Sequence, residues 1–277
     1  MVNATTAKLA VLIDADNAQA AIAEHLLAEV ARYGTAHVKR AYGDWTGANL
    51  RGWKDQLLAQ SIQPIQQFAY TRGKNATDAA MVIDAMDLLY TGRLDGFCLV
   101  SSDSDFTRLA ARIRESGLTV YGFGERKTPA PFVAACDKFI YLENLAHAPG
   151  AAVATGAASR TPPRAEPPAP RDDAALTDRL RDAAEAASDE AGWARLADVG
   201  NILSKRHPDF DTRTYGFTKL SDLVQATERF DLDRRGHGEG KPQVVRIRDR
   251  HRPATEAGPA PPAEEDADAA PAQRTST

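Results

Sequence analysis

Leu9-Ala10-Val11-Leu12-Ile13-Asp14-Ala15-Asp16-Asn17 and Phe97-Cys98-Leu99-Val100-Ser101-Ser102-Asp103-Ser104-Asp105-Phe106 are two stretches in which an apolar run ends in aspartate. A short apolar run followed at once by a helix start reads as a buried parallel strand. Its terminal acid then lies at the open carboxyl edge of a sheet, where α/β folds keep their sites. Two carboxylates ~6 Å apart repel by roughly 2–3 kcal/mol at an effective dielectric near 20, so gathering three or four without a counter-ion is self-defeating. A hard cation removes that cost. Mg²⁺ takes one or two carboxylates together with waters and phosphate oxygens, the arrangement of phosphoryl-transfer and nuclease sites.

Working outward, Lys8 to about Leu145 alternates strand and helix. Val11–Ile13 leads into a helix over Ala18–Tyr33, stopped by Gly34. A strand near Ala36–Tyr42 precedes a helix near Leu50–Gln60, and a strand near Ile65–Ala69 precedes a helix over Thr77–Tyr90, whose Ala79, Val82, Ile83, Met86 and Leu89 recur at helical spacing. The strand Phe97–Val100, a helix Phe106–Ser116 ending at Gly117, and the strand Leu118–Phe123 complete the run. Repeated β-α-β units predict an α/β domain with a mostly parallel sheet and right-handed crossovers.

Residues 148–172 are rich in Ala and Pro, with Pro162-Pro163 and Pro167-Pro168-Ala169-Pro170, and read as a semi-stiff linker that leaves the C-terminal half free of rigid docking. From 173 to 249 three amphipathic helical stretches are marked by Leu176 and Leu180, by Trp193 to Leu203, and by Phe217 to Val224. Phe230–Leu232 and Val244–Ile247 around a Gly-rich turn predict a hairpin, so this part reads as a small winged-helix α+β domain. Residues 250–277 are Pro, Ala and acid and carry no core.

The 277 residues carry a formal charge of −4, which argues against wholesale electrostatic binding of nucleic acid while leaving room for a local basic face. Two cysteines, Cys98 and Cys136, have neither zinc spacing nor a disulfide framework, so a reducing, cytoplasmic setting is expected. The apolar stretch Leu9–Ile13 is too short for a signal-peptide core, and no later segment approaches the ~20 residues of a membrane span.

Asp14 and Asp103 end strands expected to be neighbours at the switch point of the sheet. Either alone reads first as a helix N-cap; two at strand ends with a third acid favour metal. Asp78 opens the third helix within Arg72-Gly73-Lys74-Asn75-Ala76-Thr77-Asp78, and Arg72 and Lys74 would neutralise substrate phosphate. Taken alone, Asp78 is equally an acid favoured by the helix dipole. Asp105 either joins the metal shell or stands as a plain acid at a helix start. Asn17 is positioned to orient Asp14, Asp16 reads as a helix cap, and Asp84 as outer support or surface. Tyr42, Trp45, Trp53, Phe68 and Tyr70, with Arg51 and Lys54, form a combination able to stack bases and hold phosphate, though residues of this kind are more often core or lid packing. Six scattered histidines lack ligand spacing.

Leu12-Ile13-Asp14-Ala15-Asp16-Asn17, Lys74-Asn75-Ala76-Thr77-Asp78 through Asp84, and Val100-Ser101-Ser102-Asp103-Ser104-Asp105-Phe106 together resemble the NYN domain of the PIN-like nuclease superfamily, over residues 1–147. The resemblance implies a metal-dependent ribonuclease in which Asp14, Asp78 and Asp103 are the main metal-binding acids, assisted by Asp105 and Asn17. Ala15 stands where the family often has glycine. Gly192-Trp193-Ala194-Arg195-Leu196, His207-Pro208-Asp209-Phe210-Asp211, Tyr215-Gly216-Phe217-Thr218-Lys219-Leu220-Ser221-Asp222-Leu223 and Phe230-Asp231-Leu232 resemble the LOTUS or OST-HTH module, which is associated with RNA and with protein partners. Arg213, Lys219, Arg234, Arg235 and Lys241 form either a basic RNA-facing surface or an ordinary solvated one.

The expectation is therefore an endoribonuclease dependent on Mg²⁺ or Mn²⁺, with a C-terminal RNA-targeting module and water as nucleophile. Two rivals stand beside it. One is a non-catalytic RNA-binding or scaffold protein of the same fold. The other is a phosphatase of the haloacid dehalogenase type, since Asp14-Ala15-Asp16 reads as DxD; the threonine usual two residues later is Ala18 here.

Overall fold

The structure is a computed structural model and describes residues 6–48, 50–68, 76–145, 170–235 and 244–250. The expected linker lies almost wholly outside the described residues, and the tail beyond Arg250 lies entirely outside them.

Period-two alternation in the apolar runs builds the first domain. In β1 (Lys8–Asp14), Leu9, Val11 and Ile13 enter one core layer while Ala10 and Leu12 enter the other. β2 (Thr35–Gly43), β3 (Gln63–Gln66), β4 (Gly96–Val100), β5 (Thr119–Gly124) and β6 (Lys138–Tyr141) complete a six-stranded sheet in the order β3-β2-β1-β4-β5-β6. Every pairing is parallel. α1 (Ala23–Val30), α2 (Trp53–Ala59) and α6 (Leu142–Leu145) supply side chains to the layer that holds Leu9; α3 (Ala76–Tyr90), α4 (Thr107–Glu115) and α5 (Ala130–Ala135) supply the opposite one. The chain direction across the sheet reverses between β1 and β4, as expected from the two acid-terminated runs.

Three differences from the sequence reading have local causes. The first helix begins later than Ala18, because the amides of Asn17 and Ala18 turn back onto the Asp14 carbonyl before a short 3-10 turn at Ala20–Ile22. β3 lies ahead of its expected place, pairing Gln63 to Gln66 with the end of β2. A sixth strand, β6, is formed by four residues whose apolar signal is too brief to read alone.

The second domain contains α7 (Ala174–Ala187), capped by the Asp173 carboxylate, which accepts from the Leu176 amide at 2.9 Å. β7 (Ala194–Arg195), α8 (Leu196–Arg206), α9 (Leu220–Ala226), β8 (Phe230–Arg235) and β9 (Val244–Asp249) come next along the chain, and the three strands pair antiparallel in the order β7-β9-β8. The hairpin is as expected; β7, only two residues long, was not. Leu176, Leu180, Val199, Leu203, Leu223, Val224, Phe230 and Ile247 form a separate core.

The two domains are docked, contrary to the free tethering expected from the linker. Edge strand β6 donates its Phe139 amide to the Pro208 carbonyl at 2.8 Å, which covers part of an otherwise unpaired sheet edge. Tyr141 Oη donates to Asp209 and Asn144 Nδ2 to Thr214 Oγ1. Glu29, only 5 % exposed, accepts both terminal nitrogens of Arg213 at 2.9 and 3.0 Å, with Tyr33 Oη at 2.8 Å. Arg213 is held from its other side by Asp211. Burial would raise the Glu29 carboxyl, but hydrogen bonds from Arg213 and Tyr33 and the Arg213 charge bring it below the usual range.

Arg213→Ala should lower unfolding free energy at pH 7 by roughly 3 kcal/mol, since it leaves a buried carboxylate without its bidentate partner. A carboxyl that titrates lower in the folded state than in the unfolded chain stabilises above its unfolded value of 4.5 and loses that contribution as pH falls through the depressed folded value. Denaturant titrations should therefore show the gap between wild type and Arg213→Ala closing in acid, and a gap independent of pH would contradict the assignment.

Candidate metal centre

Strand register brings the first two functional groups together. β1 and β4 pair with Ile13 opposite Val100, so the next residues, Asp14 and Ser101, meet side by side at the carboxyl edge. Ser101 Oγ donates to Asp14 Oδ2 at 2.8 Å and accepts the Asp103 amide at 3.1 Å. Asn17 Nδ2 donates to the same Asp14 oxygen at 2.7 Å. Asp14 is 1 % exposed, and burial pushes its carboxyl above the usual range; the Asn17 and Ser101 hydrogen bonds oppose this, while the Asp16 charge adds to it.

Asp103 and Asp105 flank the turn after β4. Asp103 Oδ1 accepts the Asp105 amide at 3.0 Å, so this carboxylate caps the following 3-10 turn (Ser104–Phe106) and also faces the site. The capping and site readings of Asp103 thus coexist in one side chain. Asp78 arrives from the opposite direction, in the first turn of α3. One carboxylate oxygen each from Asp78, Asp103 and Asp105 lies within 4.8 Å of the others. Burial, then the charges of Asp14, Asp103, Asp105 and Asp16, pushes the Asp78 carboxyl up to about 6. Oxygen donors so arranged fit a hard divalent cation such as Mg²⁺ or Mn²⁺, which would reverse that mutual repulsion.

Asp16 is a correction. The N-cap of the turn after β1 is Gln19, which makes no side-chain capping bond; Asp16 instead accepts from Thr77 Oγ1 at 3.0 Å and adds its charge to the cluster. Gly43, at the end of β2, keeps this approach open, since a Cβ there would lie 2.5 Å from Leu50 Cδ1 and 3.5 Å from Asp16 Oδ1. Asp84 takes the outer-support place among its expected readings. It accepts from Arg40 at 2.8 Å and Tyr42 Oη at 2.7 Å, pinning α3 to β2 rather than joining the acids.

Of the two readings of the aromatics, packing holds for Tyr42, Trp45 and Trp53. Tyr42 and Trp53 are core residues, and Trp45 donates its indole N–H to the Ile65 carbonyl, all in the service of packing; Phe68 is half-exposed, and Tyr70 lies outside the described residues. Arg51 and Lys54 are exposed on the segment after β2, at the same sheet edge as the acids. Arg72, Lys74 and Lys241 lie outside the described residues, as does the Arg235 side chain. Arg213 is withdrawn into the domain interface, whereas Lys219 is exposed at the start of α9. Ser101 had carried no role in the sequence reading; the signal that finds it is the register of the two apolar runs, whose last residues Ile13 and Val100 pair and so bring Ser101 beside Asp14.

A family model described as the NYN domain matches residues 8–143, and one described as the OST-HTH/LOTUS domain matches residues 172–242. No curated protein matches the chain. Among solved structures, a protein of unknown function from Vibrio parahaemolyticus is 20 % identical with a TM-score of 0.43, covering 50 % of this chain and 94 % of that one. An uncharacterised protein from Nitrosomonas europaea is 32 % identical with a TM-score of 0.26, covering 38 % of this chain and 100 % of that one. A protein from Chromobacterium violaceum is 33 % identical with a TM-score of 0.24, covering 28 % and 83 %. No helix among the described residues is long and apolar enough to cross a membrane.

The electrostatics of the acids yield two expected outcomes. Asp78 is raised from 3.8 to about 6, so the folded state binds its proton more tightly than the unfolded chain, and stability is lost as pH rises through that window. Asp78→Asn should therefore raise the melting temperature at pH 7 without divalent metal, by the equivalent of about 1–2 kcal/mol after discounting for solvent screening, with no gain below ~pH 4. Ser101→Ala should weaken Mn²⁺ binding by roughly 10–100-fold in calorimetry, as loss of a group orienting a ligand does; unchanged affinity would remove Ser101 from the site.

Proposed function

We propose that this protein, which belongs to the NYN-domain proteins and carries an OST-HTH/LOTUS domain behind its NYN domain, is a divalent-metal-dependent endoribonuclease. The observation that carries the reading is the convergence of Asp78, Asp103 and Asp105 within 4.8 Å, with buried Asp14 alongside, at the carboxyl edge of a parallel sheet. NYN domains share a PIN-like nuclease fold, and the acids lie where such a fold keeps its chemistry.

Asp14, Asp78, Asp103 and Asp105 would hold Mg²⁺ or Mn²⁺, which when bound supplies Lewis-acid polarisation of a phosphate and a more acidic water. The chain's own contribution is positional. Ser101 and Asn17 fix the Asp14 carboxylate from two sides, and the Asp105 amide fixes Asp103. Asp84, through Arg40 and Tyr42, sets where α3 lies and hence where Asp78 arrives. Arg51 and Lys54, exposed after β2, and Arg72 and Lys74, which precede α3 in the sequence, would contact phosphates of RNA once it is brought to the acids. None of the carboxylates acts as nucleophile, which separates this scheme from a DxD phosphatase. The OST-HTH/LOTUS domain suggests nucleic-acid binding and is assigned here to RNA, with Lys219 among its contacts.

The test is incubation of the purified full-length protein with labelled single-stranded RNA, duplex RNA and DNA, in Mg²⁺, Mn²⁺ or chelator. RNA should be cut internally only with metal. Asp14→Asn and Asp103→Asn should each reduce cutting by more than the ~10–100-fold typical of an orienting residue. Undiminished cleavage by both variants contradicts the assignment, and an aspartyl-phosphate trapped on Asp14 would replace it with the phosphatase reading.

A further inference from the structure

The catalytic edge is acidic and, before metal binds, repels a phosphodiester backbone; the chain as a whole carries −4. Attraction for RNA must therefore come largely from elsewhere on the surface. Between the domains lies an open cleft of about 1100 Å³, lined mostly by the OST-HTH domain and closed on one side by Arg32, Tyr33 and Lys138 of the NYN domain. The NYN wall presents Arg32 and Lys138, the latter opening β6; the OST-HTH wall presents Arg195 and Lys219, at the starts of α8 and α9.

The charge balance of this cleft is lopsided. Arg213 and Asp211, which also line it, neutralise one another, and Arg32 is paired with Glu29. Lys138, Arg195 and Lys219 have no ion-pair partner among the described residues, against a single further acid in the lining, Asp198. Cations drawn from separate elements, β6, β7 and the start of α9, suit a chain of phosphates better than one compact anion. Arg195, the last residue of β7 and N-cap of α8, is exposed and lines the cleft.

We propose that the interdomain cleft is a binding site for the phosphodiester backbone of single-stranded RNA, built jointly by Lys138 of the NYN domain and Arg195 and Lys219 of the OST-HTH domain. The proposal rests on the assignment of RNA as substrate and adds where the strand is held. The cleft exists only while the domains are docked, so the Glu29–Arg213 pair becomes a condition of binding as well as of stability. It opens beside the C-terminus of α1 and the start of β6, at the amino edge of the sheet, whereas the acids lie at the carboxyl edge. One strand length of roughly 20 Å separates the two edges. RNA gripped in the cleft must therefore continue around the sheet to reach the acids.

The experiment measures binding of a labelled single-stranded RNA by fluorescence anisotropy, in chelator, across a salt series, using full-length Asp103→Asn protein. Into this background are placed Lys138→Glu, Arg195→Glu, their Gln counterparts, and Arg93→Glu, an exposed cation outside the cleft lining that matches the change in net charge. Lys138→Glu and Arg195→Glu should each raise Kd several-fold and flatten the slope of log K against log salt by about 0.7, one phosphate contact on a single strand. The Gln variants should change in the same direction and Arg93→Glu should leave the slope unchanged. Lys138 variants indistinguishable from Arg93→Glu would overturn the joint site, whether RNA then meets the OST-HTH domain alone or the cleft takes a protein. Failure of wild-type protein to cut RNA, with the slope pattern intact, would overturn the nuclease reading and leave the cleft standing.

Discussion

Four carboxylates brought to one sheet edge are the constraint on which the NYN domain is organised. Asp14 is buried in the register of a parallel pair, Asp103 and Asp105 come directly after the neighbouring strand, and Asp78 comes in on a helix. Each is pushed toward its neighbours by backbone geometry and away from them by charge. The hydrogen bonds from Ser101 and Asn17 to Asp14, and from the Asp105 amide to Asp103, hold these carboxylates against that repulsion. Asp84 belongs to the same logic at one remove, since its bonds to Arg40 and Tyr42 fasten the helix that carries Asp78.

On the function proposed, a site built this way would separate affinity for RNA from reactivity toward it. The acidic edge is suited to a cation and poorly suited to attracting a polyanion, while unpaired cations gather where the second domain meets the first. Docking is maintained by Glu29 with Arg213, by the Phe139 amide on the Pro208 carbonyl, and by Asn144 with Thr214. The short, otherwise exposed β6 thereby gains a partner, and the second domain acquires a fixed orientation.

The architecture was legible because its signal is long-range periodicity: two apolar runs ending in aspartate and helices between strands are enough to predict the parallel sheet and its reversal between β1 and β4. Boundaries were less legible where side chains compete with backbone, as at Asn17, whose return to Asp14 delays α1. β6 and β7 were invisible because four and two residues carry too little pattern, and they exist through tertiary pairing. The convergence of Asp14, Asp78, Asp103 and Asp105 was readable from strand ends and a helix start. The roles of Ser101 and Asp16 were not, since their partners Asp14 and Thr77 lie 87 and 61 residues away in other elements; nor were the partners of Asp84, Arg40 and Tyr42, 44 and 42 residues earlier. Arg213 was misjudged for the same reason: its partner Glu29 lies 184 residues earlier, and no local pattern announces a buried pair.

The central claim is that the four carboxylates form a metal site. Anomalous diffraction from crystals of the full chain grown with Mn²⁺ tests it most directly. The account predicts a manganese peak in direct coordination, at roughly 2 Å, with oxygens of Asp78, Asp103 and Asp105 and with Asp14 on its remaining side. Saturating Mn²⁺ that leaves no peak at this edge, or carboxylates found neutralised by cationic side chains of the chain itself, would contradict it.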